Sequence, residues 1–249
     1  MLPKIALINL FIQIWSSIYI IVSFLETSMF LVGIYSIAFG IFKMLKQKKL
    51  KKLYIYSSIS NMGLLLCILI DNSLESIVAI YYFLLTYLIM SSVLWTIFIL
   101  TTSNQTQHNK INYPLYLNFF NQLFTQNYIF AISICFVFFS LAAIPPFIGF
   151  LSKIYLYLIL IKSYQYELAI FLLYLGTFGA YYYIKFLKII LFENTNKKNP
   201  QNFYPLIYFN LESTLYSFSL FLLLFSALES NFFFFFFFFF FFFYLFFFF

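Results

Sequence analysis

Long apolar runs separated by short polar connections follow one another along the chain. A helix needs about 20 apolar residues to cross a hydrocarbon core of about 30 Å. Seven runs reach this length: Ile5–Phe24, Thr27–Leu45, Leu53–Ile70, Ile77–Leu100, Tyr128–Ser163, Glu167–Phe192 and Pro205–Leu228. These runs lack the alternating apolar and polar residues of transmembrane barrel strands. A helix, in contrast, satisfies its own backbone hydrogen bonds in lipid. The pattern therefore predicts an all-α, polytopic transmembrane helical bundle with seven spans.

The fifth run contains a predicted break in its helix. Pro145 and Pro146 remove two backbone donors and disfavour helix in the residue before them, and Gly149 follows shortly after. Non-helical backbone at membrane depth is tolerated where protein shields it or where it lines a water-filled cavity. Because discontinuous helices of this kind form ion sites in transporters, we expect a functional site at this break.

The lysines outside the apolar runs indicate how the bundle is oriented. A cluster at 46–52 follows the second span, Lys110 follows the fourth, and Lys197 and Lys198 follow the sixth. The positive-inside rule favours one face for all of them. They share a face only if the run 128–163 crosses the membrane once, so we predict a single, broken crossing.

Composition excludes several classes of function. The chain is 64% hydrophobic and 8% charged, and its single histidine, His108, lies in a polar connection, which argues against bound haem. Cys67 and Cys135 are far apart, and the six glycines form no nucleotide-binding motif. We therefore expect no cofactor on this chain. The net charge of +7 comes from lysines flanking apolar spans, so we expect no nucleic-acid partner.

Codon bias accounts for part of the composition. All 14 cationic residues are lysine, and 41 Phe and 22 Tyr accompany them. These residue types share AT-rich codons, which suggests an organellar or endosymbiont genome. Synthesis inside an organelle would also explain why no Arg-rich leader precedes the first apolar run.

Two lysines occupy positions that bear on proton transfer. Lys153 lies shortly after the predicted break and is followed by the apolar run Ile154–Ile161. An ammonium group buried without a counter-ion gives up its proton more readily, as a proton relay requires. The simpler interpretation is a lysine that reaches the headgroups, as we expect for Lys162. The adjacent break favours the relay, whereas the pattern around Lys4 by itself favours an interfacial position.

The third span carries a polar stripe. Tyr54, Ser57 and Asn61 share one helix face at the spacing of a helical turn. Such a stripe either holds ordered water or bonds neighbouring helices, and the sequence leaves both interpretations open.

Three stretches resemble the antiporter-like subunits of respiratory complex I. Residues 51–63, KKLYIYSSISNMG, are similar to a helix of these subunits, and residues 144–153, IPPFIGFLSK, resemble their broken twelfth helix in the form typical of NADH dehydrogenase subunit 2. The opening Pro3-Lys4-Ile5-Ala6 is similar to the eighth helix of that subunit. The resemblance extends to about Leu228.

The resemblance implies helices eight to fourteen of the family fold within a half-domain at 1–230. It implies that Lys4 is a central relay lysine at mid-membrane and that Lys153 is the terminal proton-exchange lysine. Asn61 stands where the family usually has His, and Gln13 where an Arg is common. The phenylalanine-rich tail, 231–249, lies outside the resemblance, and we expect an accessory helix there, packed on lipid or a neighbouring subunit.

These expectations combine into one leading hypothesis. The chain would be a proton-translocating membrane subunit fragment of NADH:ubiquinone oxidoreductase, multi-pass in the mitochondrial inner membrane, with no redox chemistry of its own. A separate polypeptide would carry the amino-terminal half of the subunit, and other complex I membrane subunits and lipids would surround both. The alternatives are a subunit of a multi-component cation/proton antiporter and a non-pumping structural or assembly subunit of the same complex.

Overall fold

A computed structural model describes the backbone of residues 2–18, 23–106, 128–145 and 147–192. All elements within these ranges are helices: α1 (Leu2–Ile18), α2 (Ser23–Leu45), α3 (Leu50–Leu69), α4 (Leu74–Thr106), α5 (Tyr128–Leu141), α6 (Ile148–Lys162) and α7 (Tyr166–Phe192). Several predicted features lie outside the described residues: His108, Lys110, Pro146, Lys197, Lys198, the span Pro205–Leu228 and the tail 231–249.

Four of these helices, α2, α3, α4 and α7, are long and apolar enough to cross a membrane. The two helices of the fifth apolar run are shorter, with 14 residues in α5 and 15 in α6. At about 1.5 Å per residue each is shorter than a hydrocarbon core of about 30 Å. Over the residues that the structure describes, neither α5 nor α6 is therefore long enough to cross a membrane alone.

Several helices extend beyond the predicted apolar runs: α2 begins at Ser23 instead of Thr27, and α4 begins at Leu74 instead of Ile77. The third helix begins at Leu50 instead of Leu53, so Lys51 and Lys52 lie in its first turn and not in the polar connection. Both lysines are exposed, and their solvation offsets the unfavourable effect of a positive charge at a helix amino terminus. The fourth helix continues to Thr106 instead of ending at Leu100.

Small residues bring α2 and α3 into close contact. A Cβ atom added to Gly63 would lie 2.8 Å from the backbone oxygen of Gly33 and 2.0 Å from the hydroxyl of Ser36. Close backbone approach of this type is a common way to pack helices in membranes, where lipid is as apolar as the side chains. The contact fixes the orientation of α3 and therefore of its polar stripe.

Two contacts establish the topology of the broken segment. At one end of the bundle, Lys162 at the end of α6 forms an ion pair with Glu75 at the start of α4, with 2.6 Å between Nζ and Oε2. At the other end, the Tyr182 hydroxyl on α7 donates to the backbone oxygen of Gln47 between α2 and α3. If α5 and α6 each crossed the membrane, Lys162 would lie on the face opposite Glu75. The structure therefore has the single broken crossing that the lysine distribution predicts.

The helix that follows the broken segment packs along both of its parts. Phe138 on α5 contacts Phe186 near the end of α7, with ring centroids 4.6 Å apart. Tyr157 on α6 lies beside Gly176, nearer the start of α7. The two short helices thus follow one another along a single antiparallel neighbour.

Candidate functional site

The site is built around the end of α5, where the chain leaves the helix through a left-handed residue. Ala143 has a φ of 58°, its N–H donates to the Ser140 oxygen at 3.1 Å, and the Ile144 N–H donates to the Phe139 oxygen at 3.2 Å. This is the Schellman arrangement, which satisfies the carbonyl groups of a helix end and is usually formed with glycine. The backbone therefore turns sharply away from the helix axis at this point.

Pro145 leaves one carbonyl at this helix end without its usual partner. In a continuous helix the carbonyl of Leu141 would accept from the N–H of residue 145, but proline has no N–H. The Lys153 ammonium donates to that carbonyl oxygen instead, at 3.3 Å. The break and the lysine are thus one unit, because α5 ends at the break and leaves the carbonyl that the lysine uses, and Pro145 has no N–H to donate to it.

Gly149 acts differently from the sequence prediction. It lies in the first turn of α6 with an ordinary helical φ, so it is not part of the non-helical segment. A Cβ atom at this position would lie 1.8 Å from the Ser140 oxygen. The missing side chain lets the start of α6 lie against the end of α5. Because helical side chains tilt toward the amino terminus, this contact aims Lys153 back at the break.

The half-buried Lys153 side chain faces a small cavity between the helices. The cavity has about 40 Å³ of space for water, and its polar lining consists of Ser60, Asn61, Lys153, Tyr157 and Tyr183. A water needs roughly 10–15 Å³ measured in this way, together with polar partners. The site is therefore large and polar enough for a few waters beside the ammonium group.

The second lysine singled out from the sequence bonds to α3. The Lys4 ammonium donates to the Ser58 hydroxyl at 2.7 Å, and Ser58 stands near the middle of α3. Further along α1, the Asn9 side-chain oxygen accepts from the Tyr81 hydroxyl at 2.6 Å. Lys4 therefore lies beside mid-helix residues, which differs from the interfacial position that the residue pattern alone favours.

The polar stripe on α3 divides between two environments. Asn61 is half-buried and lines the Lys153 cavity, whereas Tyr54 and Ser57 are buried and do not line it. Ser57 donates to the backbone oxygen of Tyr54 at 2.8 Å, and the Tyr54 ring stacks on Tyr87 with centroids 6.3 Å apart. Of the predicted water path, the structure thus brings only Asn61 to the cavity.

Five residues near the two lysines were not singled out from the sequence. Ser58 holds Lys4, the cavity is lined by Ser60, Tyr157 and Tyr183, and Tyr87 neighbours Asn61. Ser58 was accessible to sequence reasoning, because it lies one helical turn from both Tyr54 and Asn61. The tyrosines carry no such signal in a chain with 22 of them.

Both lysines are held by neutral oxygen atoms. Within the described part of the chain the ion pair is that of Lys162 and Glu75, and neither Lys4 nor Lys153 faces a carboxylate. An ammonium group without a counter-charge in a partly dry site loses its proton at lower cost than a paired one. The arrangement is therefore chemically suited to proton exchange with water at two places.

The fold and the site together define a polytopic membrane bundle with an interrupted helix and a lysine at the interruption. Residues 1–179 match the family described as NADH:quinone oxidoreductase/Mrp antiporter, transmembrane. The match covers more than half of the chain, so this protein belongs to that family.

Named relatives are subunits of NADH-oxidising complexes. The chain is 29% identical to NADH-quinone oxidoreductase subunit N of Pelagibacter ubique over 192 residues, which cover 77% of this chain and 40% of that protein. It is 30% identical to NADH-ubiquinone oxidoreductase chain 2 of Marchantia polymorpha over 164 residues, 66% of this chain and 32% of the relative. The chain thus matches well under half the length of these curated relatives.

A solved structure shares the fold. A chain of respiratory complex I from Thermus thermophilus, determined with bound aureothin, superposes with a TM-score of 0.64. The superposition covers 82% of this chain and 44% of that one, at 18% identity. This likeness confirms the antiporter-like arrangement of the helices.

Proposed function

We propose that this chain is a proton-translocating part of a complex I membrane subunit, corresponding to the carboxyl-terminal half of NADH dehydrogenase subunit 2. The observation that carries the proposal is the hydrogen bond from Lys153 to the Leu141 carbonyl at the broken end of α5, beside a cavity with room for water. Membership of the family and relatives named as complex I subunits support the assignment.

In this proposal the two lysines are successive proton carriers. Quinone reduction elsewhere in the complex changes the charge or hydration beside the chain, and Lys4 passes a proton toward Lys153, which releases it to an exit. Lys153 can exchange protons with cavity water because its hydrogen-bond partner is a neutral carbonyl. The carbonyl accepts a hydrogen bond from the ammonium form, but it carries no negative charge that would keep Lys153 protonated. The redox cofactors belong to other subunits.

We further propose the mitochondrial inner membrane as the location and a separate polypeptide as the source of the remaining helices. The AT-rich residue bias and the Marchantia relative support the location. The chain matches only 32–40% of the length of the two relatives described above, which supports a second polypeptide that carries the rest of the subunit. Purification of the complex tests this pairing: it should contain a chain of 29.8 kDa and a second chain matching the amino-terminal part of subunit N. A single longer polypeptide containing both parts would contradict it.

The direct test of function uses two lysines on the same helix. In vesicles containing the assembled complex, Lys153→Met should lower the number of protons taken up per NADH oxidised, because the group that exchanges protons with the cavity water is missing. Lys162→Met is the matched control, because Lys162 is exposed and pairs with Glu75 at the bundle end. It should leave the ratio unchanged.

The two other hypotheses give different results in this experiment. A non-pumping structural subunit predicts an unchanged ratio in Lys153→Met. A cation/proton antiporter subunit predicts proton uptake that depends on added Na⁺ or K⁺ and continues without NADH. Either result would overturn the proposal.

A further inference from the structure

Tyr87 on α4 carries a buried hydroxyl group next to the site. The residue is 3% exposed, and its hydroxyl oxygen is buried without a hydrogen-bond partner among the described residues. Burying a hydroxyl without a partner is unfavourable, and such groups are commonly satisfied by ordered water. The Tyr87 hydroxyl is therefore a position where water or another mobile hydrogen-bonding group would be stabilised.

The ring of Tyr87 is held in place on both sides. It stacks on Tyr54 with centroids 6.3 Å apart and on Phe83 with centroids 6.2 Å apart, and the two interplanar angles are 13° and 5°. Rings packed in this way do not swing away from their neighbours. The hydroxyl consequently stays at a fixed point between α3 and α4.

Besides Tyr54, two polar side chains of α3 neighbour this hydroxyl, and each of those two belongs to one of the lysine sites. Ser58 accepts from Lys4 at 2.7 Å and donates to the Ile55 backbone oxygen at 2.7 Å. Asn61 lines the cavity that holds Lys153. Both side chains are close enough to Tyr87 to interact with its hydroxyl. Tyr87 thus stands between the partner of one lysine and the cavity of the other.

We propose that Tyr87 is the proton-conducting link between Lys4 and Lys153; this inference rests on the proposed function. A tyrosine hydroxyl can accept a proton on its oxygen while it donates its own, as water does. A proton leaving Lys4 reaches the Tyr87 oxygen through water beside Ser58. The original Tyr87 proton moves to water beside Asn61 and then to the Lys153 amine. Lys4 ends as a neutral amine, Lys153 as an ammonium, and Tyr87 as the neutral hydroxyl it was.

This role also accounts for Asn61, which cannot titrate. Its amide can orient water by donating and accepting hydrogen bonds, but it cannot gain and lose a proton during transfer. The neighbouring hydroxyl of Tyr87 supplies the exchangeable proton that the amide lacks.

The test removes one hydroxyl and keeps the ring. In vesicles containing the assembled complex, Tyr87→Phe should lower the number of protons taken up per NADH oxidised by as much as Lys153→Met does, because the two residues are links of one path. Tyr82→Phe is the matched control: Tyr82 is on the same helix, is half-buried, and packs edge-on against Tyr155 at 6.0 Å, away from the cavity. The control should leave the ratio unchanged, which separates loss of the relay from loss of a tyrosine hydroxyl on α4 in general.

Three results would overturn the inference, and they are distinguishable. An unchanged ratio in Tyr87→Phe, with the ratio lost in Lys153→Met, would remove Tyr87 from the path and leave the proposed function standing. An unchanged ratio in Lys153→Met would overturn the proposed function and this inference with it. If the complex does not assemble with Tyr87→Phe, Ser58→Ala is measured instead. A lower number of protons per NADH in Ser58→Ala supports the path through Ser58 and Tyr87. An unchanged number overturns that path.

Discussion

Lys162 and Glu75 are 87 residues apart in the chain, and their side chains form an ion pair at 2.6 Å. The pair joins the end of the broken segment to the beginning of α4. Because α5 and α6 together cross the bundle once, residues 75 and 162 lie on the same face. The pair therefore indicates the topology of the broken segment. Because it is exposed, it contributes little to stability.

Cysteine cross-linking tests this topology. The double variant Glu75→Cys and Lys162→Cys should form a disulfide or react with a short bifunctional thiol reagent. The two native cysteines, Cys67 and Cys135, are buried and should not compete. Each introduced cysteine should also react with a membrane-impermeant thiol reagent from the same side of the membrane.

The matched control pairs Glu75→Cys with Gln47→Cys at the other end of α3. The 20 residues of α3 separate these positions by about 30 Å, so no cross-link is expected. Labelling of positions 75 and 162 from opposite sides would contradict a single broken crossing.

Gly149 should not tolerate a side chain. In Gly149→Ala the new Cβ atom would lie 1.8 Å from the Ser140 oxygen, so the two short helices must move apart. Overpacking of this kind destabilises a protein by about 1–3 kcal/mol, and here the obstacle is backbone. The thermal denaturation of the solubilised complex should shift to lower temperature, and less complex should assemble.

Gly179 supplies the comparison for that variant. Among the residues that the structure describes, none lies within 4 Å of a Cβ atom placed on Gly179, so Gly179→Ala should leave assembly intact and raise helix stability by about 0.5–1 kcal/mol. Equal destabilisation by both variants would show that the tight contact at the break is not what makes Gly149 necessary.

Replacing Ala143 with glycine should stabilise the protein. Its φ of 58° lies in the left-handed region, which costs a residue with a Cβ atom about 1–2 kcal/mol. Ala143→Gly removes this strain but adds freedom to the unfolded chain, so we expect a net gain of up to about 1 kcal/mol in thermal unfolding. Ala142→Gly, at a neighbouring residue without a positive φ, should give no gain; stabilisation by Ala142→Gly alone would contradict the explanation.

The sequence predicted the helices and the break because those features depend on local chemistry. Apolar run lengths locate the helices, and Pro145 removes a donor wherever it stands in a helix. The start of α3 was missed because Lys51 and Lys52 look like a connection, although long exposed side chains are compatible with a first turn. The role of Gly149 was missed because its reason, the carbonyl of Ser140, lies on another helix.

The site was less predictable for the same reason. Periodicity placed Tyr54, Ser57 and Asn61 on one face of α3, but it does not say which neighbouring helix each residue meets. The bond between Lys4 and Ser58 and the position of the Tyr87 hydroxyl depend on how α1 and α4 pack against α3. Those contacts join residues that are distant in the chain, and no single-helix pattern encodes them.

The most direct test of the central claim asks whether Lys4 and Lys153 serve one path. Proton uptake per NADH oxidised would be measured in vesicles for Lys4→Met, Lys153→Met and the double variant. Effects of residues in one path are not additive, so each single variant should lower the ratio, and the ratio in the double variant should be no lower than in the more impaired single variant. An unchanged ratio in either single variant, or losses that multiply in the double variant, would contradict a single path through both lysines.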